Sequence, residues 1–317
     1  MTQSLPPSPP TISVLMPVYN AQRYVAQAVE SILNQSFGDF EFLIIDDGST
    51  DRSLKILQRY ANQDPRIRLI SRPNTGYVKA LNELLALAQG EFLARMDADD
   101  VAMPNRFAQQ VKFLRQHPEV LCVGGAQDWI DDAGRFLLHH PEAETDAEIQ
   151  QLALSGQTPI NHPSAMMRRT AVLQVGGYDE ALHPSEDLDL WLKLGEIGQL
   201  ANLPETVLQY RQHDRSVSER LQTLQTEQRR RCCERAWERR GITGSFHESE
   251  PWRPIDPPSR LRFMTMYGWW FFHAGKRNAA IIYGLKAIRA LPTAVDGWKL
   301  LACALLKPMP APESKGG

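Results

Sequence analysis

From Thr11 to about Pro118 the chain alternates short apolar runs with longer amphipathic segments. That order is the one expected of a parallel sheet whose strands are joined by crossover helices. The apolar runs predict strands at Ile12–Pro17, Phe40–Ile45, Ile67–Ser71 and Phe92–Met96. The amphipathic segments predict helices at Ala21–Gln35, Asp51–Asn62, Gly76–Ala88 and Pro104–Gln116. Asn20, Ser49 or Thr50, and Asn74 or Thr75 stand where helix N-caps belong, and Pro104 suits a first helical turn. In a sheet of this kind, ligands gather beyond the carboxyl ends of the strands.

Past Pro118 the pattern loosens. Val120–Gly125 reads as a buried strand and Trp129–Leu138 as a hairpin turning at Asp132 and Gly134. Glu144–Leu154 and Glu186–Leu194 are helical, Ser164–Arg168 is short and strand-like, and Thr206–His213 is a closing strand. Ser218–Arg240 is a long polar helix, followed by a Pro-containing linker from Gly241 to Pro258. Three more helices are expected at Arg260–Ala274, Asn278–Leu291 and Ala294–Leu306, broken at Gly275 and Pro292. These elements divide the chain into a tail at 1–10, a catalytic domain at 11–220, a helical region at 221–310 and a flexible tail at 311–317.

The 317 residues are 43% hydrophobic and 23% charged, enough for one large domain and a smaller one. Cys122, Cys232, Cys233 and Cys303 have neither a disulfide framework nor zinc spacing, which fits a reducing compartment. MTQSLPPSPP lacks the pattern of a secretory signal, and no apolar run is long enough to span a bilayer. A cytoplasmic protein is expected, with a peripheral position at the inner face of the membrane left open. The net charge of -2 conceals an asymmetry: residues 1–220 hold 19 Lys and Arg against 29 Asp and Glu, whereas residues 221–317 hold 16 against 8. The two parts are expected to meet different partners.

Chemistry concentrates at strand ends. In Met96-Asp97-Ala98-Asp99-Asp100 the carboxylates of 97 and 99 fall on one side of an extended chain, where a cation could be held. Hard oxygen ligands select Mg²⁺ or Mn²⁺, ions that leave positions open for phosphates and would neutralise a departing diphosphate. Alone, the triplet reads more simply as a solvated acidic turn. It has company in Asp46-Asp47-Gly48-Ser49-Thr50-Asp51, a second acidic strand end. Carboxylates there can accept hydrogen bonds from a ribose hydroxyl or a base N–H, and Gly48 permits a tight turn with close backbone approach.

Pro17-Val18-Tyr19-Asn20 replaces the glycine-rich turn of dinucleotide-binding folds, which argues against hydride transfer. Ser185-Glu186-Asp187-Leu188-Asp189 opens an amphipathic helix, where a carboxylate could act as general base or simply complement the helix dipole. In Tyr210-Arg211-Gln212-His213, the histidine could complete a metal shell or contact a phosphate, with Arg211 adding charge neutralisation.

Taken in order, Pro17-Val18-Tyr19-Asn20, Asp46 to Asp51, Asn74-Thr75-Gly76, Asp97-Ala98-Asp99, Gly176-Gly177-Tyr178-Asp179, Glu186-Asp187 and Tyr210 to His213 resemble the family 2 inverting glycosyltransferases. The resemblance covers about Thr11 to Ser218. It implies an α/β, Rossmann-like glycosyltransferase-A fold with a mixed, mostly parallel sheet, here followed by a small C-terminal helical region. It also implies a nucleotide-diphosphate sugar donor, commonly a UDP-sugar, and a glycan or lipid-linked acceptor. Pro17, Tyr19, Asp46 and Asp47 would surround the nucleoside, with Asp47 bonding the base. Asp97 and Asp99 match the metal-binding motif, Asp99 as the direct ligand, and His213 matches a late metal or phosphate contact. Asp187 matches the catalytic base with Glu186 beside it, and Asn74, Lys79 and Arg95 are further donor contacts.

The basic stretch Arg229–Arg240 and the aromatic Trp269-Trp270-Phe271-Phe272 lie outside that motif set. A solvated helix with a packed hairpin accounts for them, and so does peripheral contact with anionic lipid. Nucleic acid is not an expected partner, because the catalytic part is acidic. Two other readings of the whole chain are a non-catalytic nucleotide-sugar-binding module and a nucleotidyltransferase, the latter opposed by the lack of a basic, glycine-rich loop after the first strand.

Overall fold

The computed structural model describes residues 9–212, 222–247 and 257–308. The chain forms two compact units, the second of which contains the last three helices. In the first unit, β1 (Ile12–Val18) pairs in parallel with β2 (Phe40–Asp47) and β4 (Phe92–Arg95), and β2 pairs in parallel with β3 (Ile67–Arg72). The register sets Val18 beside Asp46 and Asp47 beside Arg72, so the strands end together at one edge.

Helices α1 (Val25–Leu33), α2 (Ser53–Ala61) and α3 (Tyr77–Leu87) are the crossovers. Alternate strand residues bury on opposite faces: Val14 and Met16 pack with Val29, Ile32 and Leu57, while Leu15 packs with Leu81 and Leu84. Burial on both faces is why these strands read as unbroken apolar runs.

The sheet continues with β5 (Val101–Ala102), β6 (Val120–Ile130), β7 (Phe136–His140), β8 (Met166–Arg168) and β9 (Gln199–Arg211). Its order is β3-β2-β1-β4-β8-β6-β9-β5, with β7 on β6. β8 is antiparallel to both β4 and β6, so the sheet is mixed. Strand β9 begins seven residues before the expected Thr206, because a register shift lets it pass Pro204 and Glu205. That shift lies beside Gly125, where a Cβ would come within 2.9 Å of the Val207 side chain.

The expected N-caps are not where the helices start. α1, α2 and α3 follow Tyr24, Arg52 and Gly76 without a side-chain cap. Asn20, Ser49 and Asp51 instead tie the first two strand ends together. Thr50 N donates to Asn20 Oδ1 at 2.8 Å, Asn20 N to Ser49 Oγ at 3.0 Å and Gln22 N to Asp51 Oδ2 at 3.0 Å. α4 (Arg106–Gln116) starts two residues after Pro104. A capping box does form at α5 (Asp146–Leu154), between Thr145 and Glu148.

The remaining helices of the first unit are α6 (Arg169–Gln174), α7 (Glu186–Leu194) and α8 (Gln222–Arg240). The sequence assigns α8 to the C-terminal region, but its residues from Thr223 onward group with the first unit. Cys232, Cys233 and Ala236 are buried against Ala153, Leu182, Leu188 and Leu192, which supplies an apolar seam on an otherwise polar helix. Among the described residues, the second unit holds α9 (Pro257–His273), α10 (Arg277–Ala290) and α11 (Val295–Leu306). Gly268 admits Leu300 there, since a Cβ would lie 2.1 Å from its Cδ2.

Candidate active site

The acidic loop after β4 is held from two sides. Arg211, at the end of β9, donates its Nε to Asp99 O at 2.6 Å and its backbone N to Asp100 Oδ1 at 2.8 Å. Its Nη atoms bind Asp131 O and Gln27. Arg211, expected from the sequence to add charge neutralisation, is a buried brace of the loop. From below, Arg95 donates to Asp97 Oδ1 at 2.7 Å and to the Tyr77 hydroxyl. Arg95 has no exposed surface, so it meets Asp97 rather than a donor directly.

Carboxylate oxygens of Asp97, Asp99 and Asp100 lie within 4.8 Å of one another. Burial, opposed by Arg95 and reinforced by Asp99, raises the Asp97 pKa. Burial together with Asp99 and Asp97 pushes Asp100 well up, and Asp100 Oδ2 is buried without a hydrogen-bond partner. Crowded, all-oxygen donors of this kind fit a hard dication such as Mn²⁺ or Mg²⁺.

A polar chain runs inward from this loop. The Tyr77 hydroxyl lies 3.4 Å from His162 Nδ1, and His162 Nε2 lies 2.9 Å from the Tyr178 hydroxyl. Burial, aided by Arg95, pushes the His162 pKa well down and keeps the ring neutral. No sequence motif marks Tyr77 or His162. The one available signal was a histidine inside Pro159–Pro163, a short segment without periodicity.

At the ends of β1 and β2, Pro17 is buried and Tyr19 is 53% exposed. Asp47 is only 3% exposed. It accepts from Thr75 N at 2.9 Å, Gly76 N at 3.0 Å and the Arg72 guanidinium, latching the loop that precedes α3. Three bonds leave its carboxylate room for about one more donor. Asn74 Nδ2 donates to Asp47 O, Asp46 accepts from Ser71 Oγ, and Lys79 is exposed on α3. Gly48 has φ 74°, and a Cβ there would lie 2.6 Å from Asn74 N. This bears out the close backbone approach expected at Gly48 and explains why no other residue type suits the turn.

Glu186 and Asp187 form the first turn of α7. Glu186 is buried, lies 3.3 Å from His183 Nδ1, and its charge is felt at both Tyr77 and Asp97. The start of α7 therefore lies within electrostatic reach of the acidic loop. Burial, then repulsion from Glu186, lifts the Asp187 pKa to about 7, with Arg229 of α8 acting in the opposite sense. Asp189 is structural, pairing with Lys193 at 2.9 Å. His213 lies outside the described residues.

The family model described as Glycosyl transferase family 2 matches residues 13–177. The chain is 36% identical over 214 residues to a Bacillus subtilis protein named as a glycosyltransferase, EpsE, covering 65% of this chain and 74% of that one. It is 33% identical over 213 residues to the amylovoran biosynthesis glycosyltransferase AmsE of Erwinia amylovora, covering 66% and 79%. Among solved structures, the mannosyltransferase PcManGT of Pyrobaculum calidifontis, in complex with GDP-Man and Mn²⁺, aligns with a TM-score of 0.54 at 19% identity, covering 95% of this chain and 82% of that one. S. aureus TarS residues 1–349, in complex with UDP, aligns with a TM-score of 0.52 at 18% identity, covering 92% and 90%. These alignments agree with the mixed sheet and its crossover helices. The chain belongs to glycosyltransferase family 2 and is a glycosyltransferase of the glycosyltransferase-A fold.

Proposed function

We propose that the protein transfers a sugar from a nucleoside-diphosphate donor, a UDP-sugar by preference, to an acceptor hydroxyl with inversion at the anomeric carbon, in the assembly of a polysaccharide or cell-envelope glycan. The observation that carries this reading is Asp187 at the start of α7, a carboxyl lifted to about 7 beside Glu186, whose charge acts on Asp97 of the acidic loop. A base with that pKa is matched to removing a hydroxyl proton near neutral pH. As the acceptor oxygen attacks the anomeric carbon, the bond from that carbon to the diphosphate oxygen breaks, the acceptor's proton passes to Asp187 and the nucleoside diphosphate departs, with Glu186 beside Asp187 orienting the reacting groups. Asp97 and Asp99 would hold Mn²⁺ or Mg²⁺, with Asp100 closing the loop and Arg95 fixing Asp97. The ion supplies positive charge for the diphosphate. Tyr19, Asp47 and Asn74 would receive the nucleoside, and His213 is retained as a phosphate or metal contact.

The relatives lend support at the level of pathway: AmsE is named for amylovoran biosynthesis and a 32% identical Escherichia coli relative for O-antigen biosynthesis. The UDP in TarS favours uridine, while the GDP-Man of PcManGT keeps guanosine in the comparison. A thermal-shift panel of nucleotide sugars with Mn²⁺ tests the donor, since saturation at a hundred times Kd stabilises by about 2.7 kcal/mol. UDP-sugars should raise the melting temperature, and EDTA should cancel the rise. A response to none of the panel would overturn the reading.

Contact with anionic lipid belongs to the same proposal. Residues 257–308 hold eight Lys and Arg against one acidic residue, and Trp270, Trp298, Leu305 and Leu306 are exposed. Cations with interfacial tryptophans suit a lipid surface, and no described helix is long and apolar enough to cross a membrane. Sedimentation with phosphatidylglycerol vesicles should recover the protein at low salt, and failure to do so would remove this element.

A further inference from the structure

The arginines of α8 are not equivalent. Arg235 pairs with Asp179 at 2.7 Å, Arg239 with Glu196 at 2.8 Å, and Arg240 donates to Gln150 and Leu192 O. Arg231 bonds Gln228, and Arg230 lies over the Phe246 ring. These contacts account for most of the basic run as packing within the first unit. The Nε atoms of Arg229 and Arg240 are both buried without a hydrogen-bond partner among the described residues, but Arg240 Nε lies 3.6 Å from Glu196 and its Nη atoms are bonded, so Arg229 is the arginine of the two left without an ion pair of this kind.

Its place is fixed by its neighbours on the helix. Gln225, Arg229 and Cys232 are spaced four and three apart, so they share one face. Ser185 Oγ donates to Gln225 O, Gln225 Nε2 donates to Pro184 O, and the Cys232 thiol reaches Ser185 O. That face therefore lies against the residues immediately before Glu186 and Asp187, and Asp187 feels the Arg229 charge. Arg229 thus stands beside the start of α7, on the Asp187 side of the site.

We infer that Arg229 receives an anionic group of the acceptor, a phosphate or a carboxylate, carried close to the hydroxyl that is glycosylated. A planar guanidinium matches either group through two parallel hydrogen bonds. Such a ligand would satisfy a donor that otherwise stays buried and unbonded. It would also answer an electrostatic need, because an anionic acceptor approaching Asp187, Glu186 and the three aspartates of the loop is repelled unless a cation meets it.

This inference rests on Asp187 being the base, so the test first establishes the donor site. The full chain is loaded with Mn²⁺ and UDP or GDP, and calorimetric uptake of the nucleotide is recorded. Loaded protein is then titrated with octyl phosphate, methyl glucuronide and neutral octyl glucoside. Wild type should bind at least one anionic probe about tenfold more tightly than octyl glucoside. The stronger of the two distinguishes a phosphate-linked acceptor from an acidic sugar. Arg229→Gln should lose the preference, and Arg229→Lys should keep part of it. Both should fold, since Gln225 and Cys232 still dock the helix, and their melting curves check this. An anionic preference that survives in Arg229→Gln, or none in loaded wild type, overturns the inference. Failure of the loading step instead overturns the donor reading, and this inference with it.

Discussion

Asp187→Asn separates the two consequences of placing a carboxylate at the start of α7. The change preserves size and the oxygen that accepts from Leu188 N, but removes the charge and the proton acceptor. Burial and Glu186 lift the Asp187 pKa from 3.8 to about 7. At roughly 1.4 kcal/mol per tenfold change, ionising this group in the folded protein costs at most about 4 kcal/mol, and sharing the charge with Glu186 reduces the expectation to about 1–3 kcal/mol. The folded pKa lies above the unfolded one, so between pH 4 and 7 the unfolded chain holds fewer protons and wild-type stability falls as pH rises. Below pH 4 both states are protonated and the difference vanishes. Urea unfolding should therefore give Asp187→Asn a stability advantage that is absent near pH 4, grows to about pH 7 and then stays constant. Transfer should fall by about 10²–10⁴-fold, the usual worth of a general base, with donor affinity retained. Wild-type kcat/KM should rise with pH and level off above about 7. A variant that keeps a tenth of the activity, or a stability difference flat across pH 4 to 8, would refute the reasoning.

Other substitutions probe the supporting parts. Asp99→Ala should weaken Mn²⁺-dependent binding of nucleoside diphosphate by calorimetry, and affinity insensitive to both this change and EDTA would contradict the metal assignment. Gly48→Ala places a Cβ 2.6 Å from Asn74 N at φ 74°, so chemical denaturation should report a loss of about 1–3 kcal/mol, together with weaker nucleotide binding. Tyr77→Phe removes the hydroxyl between Arg95 and His162, which should cost about 1–3 kcal/mol and loosen Mn²⁺ binding through Asp97; unaltered metal affinity would make the chain purely structural. Thr145→Ala breaks the capping box of α5 and should cost about 1 kcal/mol in stability with no effect on nucleotide affinity.

The parallel half of the fold was legible because β1, β2 and β4 are buried on both faces and interrupted by amphipathic helices of ordinary length. The helix starts differ from the expected caps for a definite reason. Asn20, Ser49 and Asp51 have the chemistry of caps, but their side chains satisfy amides of a neighbouring strand end, a long-range pairing that local spacing does not encode. The sequence predicts a shorter β9 because Pro204 and Glu205 break the alternation, and the glycines of β6 make the shift tolerable. Within the site, the acidic residues were visible as short motifs at strand ends. Their supports were not: Arg95 looked like a ligand contact and proved to be buried beneath Asp97, while Arg211 proved to brace Asp99 and Asp100. Tyr77, His162 and Arg229 came into view only when residues far apart in the chain were brought together. The basic run of α8 likewise looked uniform until ion pairs to Asp179 and Glu196 distinguished its members.

In the proposed mechanism a single base, Asp187, drives one direct displacement at the anomeric carbon. Proton NMR of the product formed from an α-linked nucleotide sugar tests it, through the coupling constant of the new anomeric proton. A β-linked product is predicted from the first turnover. An α-linked product would contradict the claim, because it requires two displacements or attack from the leaving-group side.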